Sequence, residues 1–252
     1  MSLERIGLSY YPVGPSVELE GKTILYCNGI ENNVEEASQS ALLIAEAFGR
    51  KKVILCHNPT TIQEFGDGKG EQQLRERSLA DSLGKKISEC ALKSNNEIIL
   101  FVHSHGALLA KKALEKLDES IRDKVRVYSF GGVATIPSSY GNIVQNYVID
   151  GDIFSHFGNL FIANTREFYS STNEYKLEIL PGQKFQYPEF SAIRSYSTYA
   201  EFACNILPNL ASVFGNIVKI GVAVANYGIE NHKFESYSNA VQMIAKRELT
   251  FK

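Results

Sequence analysis

The chain has little that would mark it for a charged partner or a bound metal. Its 26 lysines and arginines against 28 aspartates and glutamates leave a formal charge of −2. No long basic run replaces the missing net field, so nucleic acid is excluded as a partner. There is no HExxH and no grouped set of cysteines and histidines, so neither a metal nor another cofactor is required. The four cysteines, Cys27, Cys56, Cys90 and Cys204, lack CxxC spacing, which predicts reduced, mostly buried thiols. The stretch MSLERIGLSYYPVG carries charges where a signal peptide has its apolar region. No targeting segment is read, and a cytoplasmic location is expected, with signal-peptide-independent secretion left open. No composition break, linker, repeat or low-complexity tract divides the 252 residues, so one domain over residues 1–252 is expected.

Long uninterrupted apolar runs are also missing, with one near exception. From Phe202 to Ile229 the only charge is Lys219, but Asn205, Pro208, Asn209, Asn216 and glycines interrupt the run. Residues 202–229 are read as an apolar helical segment, buried or covering a site as a candidate lid, with membrane-surface contact as the alternative.

What is present is a rhythm of short apolar runs and helical periods. KTILYCNGI (Lys22–Ile30) reads as a strand breaking at Asn-Gly. Val34, Ala37, Ala41, Ile44 and Phe48 then recur at helical spacing up to Gly49. KKVILCHNP is a second strand. The following EFGDGKGEQ lacks the GxxxxGK[ST] spacing that wraps a phosphate and reads as a surface loop. Leu79, Leu83, Ile87 and Ala91 mark one face of a helix. EIILFVHS is a third strand, with a helix over Ala107–Leu117 after it. KVRVYSFGG and NIVQNYVIDGD are a fourth and a fifth, REFYSSTNEYKLEIL holds one or two more, and SYSNAVQMIAKREL closes the chain as a helix. Strands alternating with helices imply an α/β fold, a mainly parallel sheet with helices on both faces and right-handed crossovers.

In such sheets ligands sit at the carboxyl ends of strands. Asn28-Gly29, Ser104, Gly131-Gly132 and Asp150-Gly151-Asp152 all fall there, so the polar chemistry converges on one rim. Val102-His103-Ser104-His105-Gly106 has the strand–serine–helix layout of a nucleophile elbow, GxSxG, without its first glycine. A serine at such a turn also serves as a plain helix N-cap. As a nucleophile it needs a base, an acid to orient the base, and donors for an oxyanion. In chain order serine, acid, histidine, the acid is Asp150 or Asp152, and the base is His232 or His156. His232 is favoured, because His156 lies only four residues past Asp152. An Asx turn around Gly151 and a solvated loop histidine are the plain alternatives. The N–H of His105 is one oxyanion donor, and Gly29 or Ile30 supplies the second.

VHSHGALLAKKAL, VRVYSFGG, NYVIDGDIFSHF and NHKFESYSNAV together resemble the α/β-hydrolase superfamily, in particular its class 3 lipase-like branch. There a strand ending in Phe-Gly precedes the turn that carries the acid. On that resemblance the acid is Asp152, and His232, with the aromatic Tyr237 after it, matches the base. YCNGIENNVEEASQSALLIAEAFG is also similar to the opening of a family of uncharacterised chlamydial hydrolase-like proteins. The resemblance spans about Lys22 to Ile244 and implies a bacterial serine hydrolase acting on a carboxylic ester, lipase- or esterase-like, through a Ser-His-Asp triad and an acyl-enzyme. The apolar segment suggests a small or lipid-like substrate, and a thioesterase or amidase would use the same residues. The alternative is a non-catalytic α/β-hydrolase-fold protein used for lipid or partner binding, for which an occluded or disassembled site is expected.

Overall fold

The computed structural model describes residues 7–61, 64, 71–93, 96–149, 152, 177–180 and 232–250. Each short apolar run in those stretches becomes a strand of one sheet. β1 (Ser9–Val13), β2 (Lys22–Cys27), β3 (Val53–His57), β4 (Glu97–His103), β5 (Val125–Phe130), β6 (Ile143–Ile149) and β7 (Leu177–Leu180) lie in the spatial order β1-β3-β2-β4-β5-β6-β7. All neighbours are parallel except β1, which pairs antiparallel with β3 along the edge. The amino-terminal stretch therefore adds a strand to the sheet. This six-strand parallel sheet with one antiparallel edge, carrying a serine turn after β4, is the α/β-hydrolase fold.

Both faces are covered, which is why the strands read as continuous apolar runs. Leu25, Leu100, Val102 and Val127 face one side and pack with Leu79, Leu83 and Ile87 of α2 (Glu71–Lys93) and Leu109 and Ala113 of α3 (His105–Glu115). Their strand neighbours Ile24, Tyr26, Phe101 and Tyr128 face the other side, against Ala41 and Ile44 of α1 (Val34–Ala47) and Val241 and Ile244 of α5 (Ser238–Thr250). A short α4 (Glu119–Arg122) links α3 to β5. The entry to α1 is fixed by a capping box: Asn33 Oδ1 accepts from the Glu36 N–H and Glu36 Oε2 accepts from the Asn33 N–H.

Two expectations shift. Glu71 and Gln72, expected in the glycine-rich loop, open α2. The helix expected over Ala107–Leu117 starts at His105 and stops at Glu115, because the serine turn delivers the chain into it with no intervening residue. No helix among the described residues is long and apolar enough to cross a membrane. The apolar segment 202–229 lies outside the described residues.

The strand order positions the site. From β2 the chain crosses left to β3 and then right to β4, so β2 and β4 are neighbours whose connections leave on opposite faces. Cys27 pairs with Val102 in that register, which brings Asn28-Gly29 and His103-Ser104 side by side at the crevice where the order reverses.

Candidate active site

Ser104 occupies the sharp turn between β4 and α3 with φ 53° and ψ −120°. A side chain enters that left-handed region at a cost of about 1–3 kcal/mol, which the surrounding structure must offset. The offsets are visible. The Ser104 N–H donates to the Phe130 carbonyl at 3.1 Å, and the Ser104 carbonyl accepts from Ala107 at 3.1 Å and Val133 at 3.2 Å. Although Ser104 stands at the N-cap position of α3, its hydroxyl does not cap the helix. It lies 2.8 Å from His232 Nε2.

Gly106 shows why the turn can be so tight. A Cβ there would lie 2.5 Å from the Cys27 carbonyl oxygen and 2.8 Å from that of Asn28. The close approach falls at this second glycine of the elbow frame. Val102, which replaces the first, is fully buried in the core between the sheet and the α2–α3 side.

His232, just before a 3-10 turn at Phe234–Tyr237 that leads into α5, joins the serine to Asp152. Its Nδ1 lies 2.9 and 3.0 Å from the two oxygens of the Asp152 carboxylate. That contact places the ring proton on Nδ1 and leaves Nε2 to accept from the Ser104 hydroxyl. Asp152 is fully buried. Its own N–H donates to the Ile149 carbonyl at 2.9 Å, which folds the chain back after β6. The Tyr237 hydroxyl donates to Asp152 Oδ2 at 3.0 Å. Ser104, His232 and Asp152 thus form one continuous hydrogen-bonded chain. Asp150 and His156 lie outside the described residues.

Gly131, with φ +53°, sits beneath this junction. A Cβ built on it would lie 2.8 Å from Asp152 Oδ2, 2.9 Å from the Tyr237 hydroxyl and 3.2 Å from His232 Nδ1. On the other side of the serine, the Gly29 backbone is equally close: a Cβ there would lie 2.8 Å from Ser104 Cβ. Gly29 therefore flanks the serine, and the His105 N–H opens α3 and shares the positive end of its dipole.

His103, which precedes the acid in the chain, lies beside His232. It stands behind His232, with ring centroids 5.0 Å apart, and its Nε2–H donates to the His232 carbonyl at 2.6 Å. Burial, and then the neighbouring His232, push its ring down to about 3, so it is neutral at physiological pH. Asn58, at the end of β3, was not singled out by any motif. Its backbone N–H donates to Asn28 Oδ1 at 2.8 Å and its amide nitrogen lies 3.0 Å from His105 Nδ1. Its position at a strand's carboxyl end, just before Pro59, was the only signal for it. Among the described residues no group of histidines, cysteines and carboxylates could hold a metal ion.

No known sequence family matches the chain, and no curated protein does. Solved structures do resemble it. Trichoderma reesei cutinase in complex with a phosphonate inhibitor is 18% identical with a TM-score of 0.41, over 54% of this chain and 64% of its own. A serine hydrolase without lid from Xanthomonas campestris is 13% identical with a TM-score of 0.44, over 69% of this chain and 78% of its own. Dienelactone hydrolase from Anabaena variabilis is 17% identical with a TM-score of 0.43, over 79% of this chain and 96% of its own. The chain thus spans less than two thirds of the cutinase. At these identities no residue's role carries across.

Proposed function

We propose that the protein is a serine hydrolase that cleaves a carboxylic ester of a small or lipid-like molecule through an acyl-enzyme. The observation that carries this reading is the unbroken hydrogen-bonded chain from Asp152 through His232 to a serine held in a strained turn. Ser104 Oγ attacks the ester carbonyl carbon while its proton passes to His232 Nε2. The tetrahedral oxyanion rests against the His105 N–H and that of Ile30 or Gly29. The intermediate collapses, the C–O bond to the alcohol breaks, and the alcohol leaves with the proton from His232. Water then repeats the sequence on the acyl-enzyme and releases the acid. Asp152 stays ionised, keeps the proton on Nδ1 and stabilises the imidazolium that forms. The segment order, with Phe-Gly before the acid-bearing turn, supports placing the chain in the class 3 lipase-like branch. The phosphonate-bound cutinase and the dienelactone hydrolase among its structural likenesses fit an ester substrate.

The test is labelling with a fluorophosphonate probe, which reacts with a serine activated by its neighbours. Wild type should label, and Ser104→Ala and His232→Ala should not. p-Nitrophenyl esters of increasing acyl length would then report the pocket. A folded wild-type protein that takes no label would overturn the hydrolase reading in favour of a binding role.

A further inference from the structure

A second polar cluster lies buried on the far side of the nucleophile, and the steps above do not use it. Its members are Glu76 on α2, His105 at the start of α3, and Asn58 after β3, all buried. We propose that the side chains of His105 and Asn58 are positioning residues that set the oxyanion loop, an assignment that rests on the serine-hydrolase reading. Asn58 is oriented by Thr60, whose N–H (3.2 Å) and hydroxyl (2.7 Å) both donate to its Oδ1. Its amide nitrogen is therefore the donor, and it reaches His105 Nδ1 at 3.0 Å and the Gly29 carbonyl at 3.3 Å. Because Asn58 donates to Nδ1, the ring proton of His105 sits on Nε2, 3.7 Å from Glu76 Oε1. Glu76 is itself held in place by Lys112 and by Gln72 Nε2 at 3.0 Å.

The consequence falls on one peptide plane. The Gly29 carbonyl accepts from Asn28 Nδ2 at 2.8 Å as well as from Asn58, so it is pinned toward these buried amides. There are no cis peptide bonds among the described residues, and in a trans peptide the following N–H points the opposite way. The cluster thereby turns the Ile30 N–H away from the amides and assigns it as the second oxyanion donor. Meanwhile the His105 ring, held at Nδ1 by Asn58 and facing Glu76 with Nε2, fixes the residue whose own N–H is the first. One network holds both donors, which matters because donors must be set before charge develops.

The test compares wild type, Asn58→Ala, His105→Leu and His105→Gln for fluorophosphonate labelling rate and for kcat and KM on a p-nitrophenyl ester, with folding checked by thermal melts. Gln offers Asn58 an acceptor and Glu76 a donor, as the neutral imidazole does. The expected result is a fall in kcat and labelling rate of about 10- to 100-fold for Asn58→Ala and His105→Leu. KM should stay within about threefold, because the donors act on the transition state, and His105→Gln should recover most of the loss against His105→Leu. A folded Asn58→Ala that labels at the wild-type rate overturns the proposal. So do equal rates for His105→Gln and His105→Leu, a comparison that stands even if Asn58→Ala does not fold. An unlabelled wild type is a different result, since it removes the hydrolase reading itself.

Discussion

At the scale of single residues, the site is most exposed to change where three polar groups meet over one Cα. A methyl group at Gly131 would lie within 2.8 Å of Asp152 Oδ2 and 2.9 Å of the Tyr237 hydroxyl, on a backbone at φ +53° that a side chain rarely adopts. The acid and its tyrosine are buried and cannot retreat, so the histidine must shift. Gly131→Ala is expected to lower kcat/KM by at least about 100-fold, as misplacement of a catalytic group does, while circular dichroism stays native. Tyr237→Phe is milder. It keeps the buried ring and removes only the hydrogen bond to Asp152 Oδ2, which frees the carboxylate to rotate off Nδ1. A loss of about 10-fold in kcat is expected, given a net worth of about 1.5–3 kcal/mol for hydrogen bonds to charged groups; an unchanged kcat would show that the main-chain turn alone holds the acid.

Elements were more legible in the sequence than their long-range contacts. β2, β4 and β6 announce themselves as apolar runs ending in polar residues, and the helical period of Leu79, Leu83 and Ile87 marks a buried face before any partner is known. The serine–acid–histidine order reduced five histidines to two. What stayed hidden depends on side chains far apart in the chain. Nothing local to His103 shows that His232 will lie against it, and Asn58 carries no motif. Glu248 is the clearest case. On the closing helix it reads as a solvated charge, yet its side chain is wholly buried. It takes Lys22 Nζ at 3.1 Å, Arg126 at 3.0 Å and the Tyr128 hydroxyl at 2.5 Å. These donors come from strands β2 and β5, so the carboxylate clamps α5 to the sheet. Without it Arg126 keeps Glu97, Lys22 keeps the main-chain carbonyl of residue 248 and the Tyr128 hydroxyl keeps Arg247, so the loss is that of hydrogen bonds to a charged group, and Glu248→Ala should lose about 1.5–3 kcal/mol in denaturant unfolding. Lys22 opens β2, at the end of the sheet opposite the serine rim, so the labelling rate at low temperature should not change.

For the whole molecule, the site leaves its mark on how stability depends on pH. His103 is walled in by the rings of His232, Phe234 and Tyr237, and burial, then His232, hold it at about 3 against an ordinary 6.5. In the unfolded chain it takes a proton below about 6.5, whereas the folded protein refuses it until about 3. The unfolded state therefore binds more protons throughout that window, and stability must fall as pH falls. The slope from this one ring is about 1.4 kcal/mol per pH unit, or about 3 to 5 °C of Tm for a chain of this length. The carboxylate cluster acts lower. Burial would raise Glu76, but His105, Lys112 and Gln72 outweigh it and hold it at about 2 against an ordinary 4.5. Its contribution is complete above 4.5 and is lost only as pH drops from there toward 2. Between pH 6.5 and 5 the two are separable. His103→Gln keeps an N–H for the His232 carbonyl but cannot titrate, so its Tm should decline less steeply than wild type over that interval, and the two should run parallel below pH 3. Equal slopes between pH 6.5 and 5 would mean that the folded protein admits a proton at His103, and hence that the ring behind the base is not sealed from water.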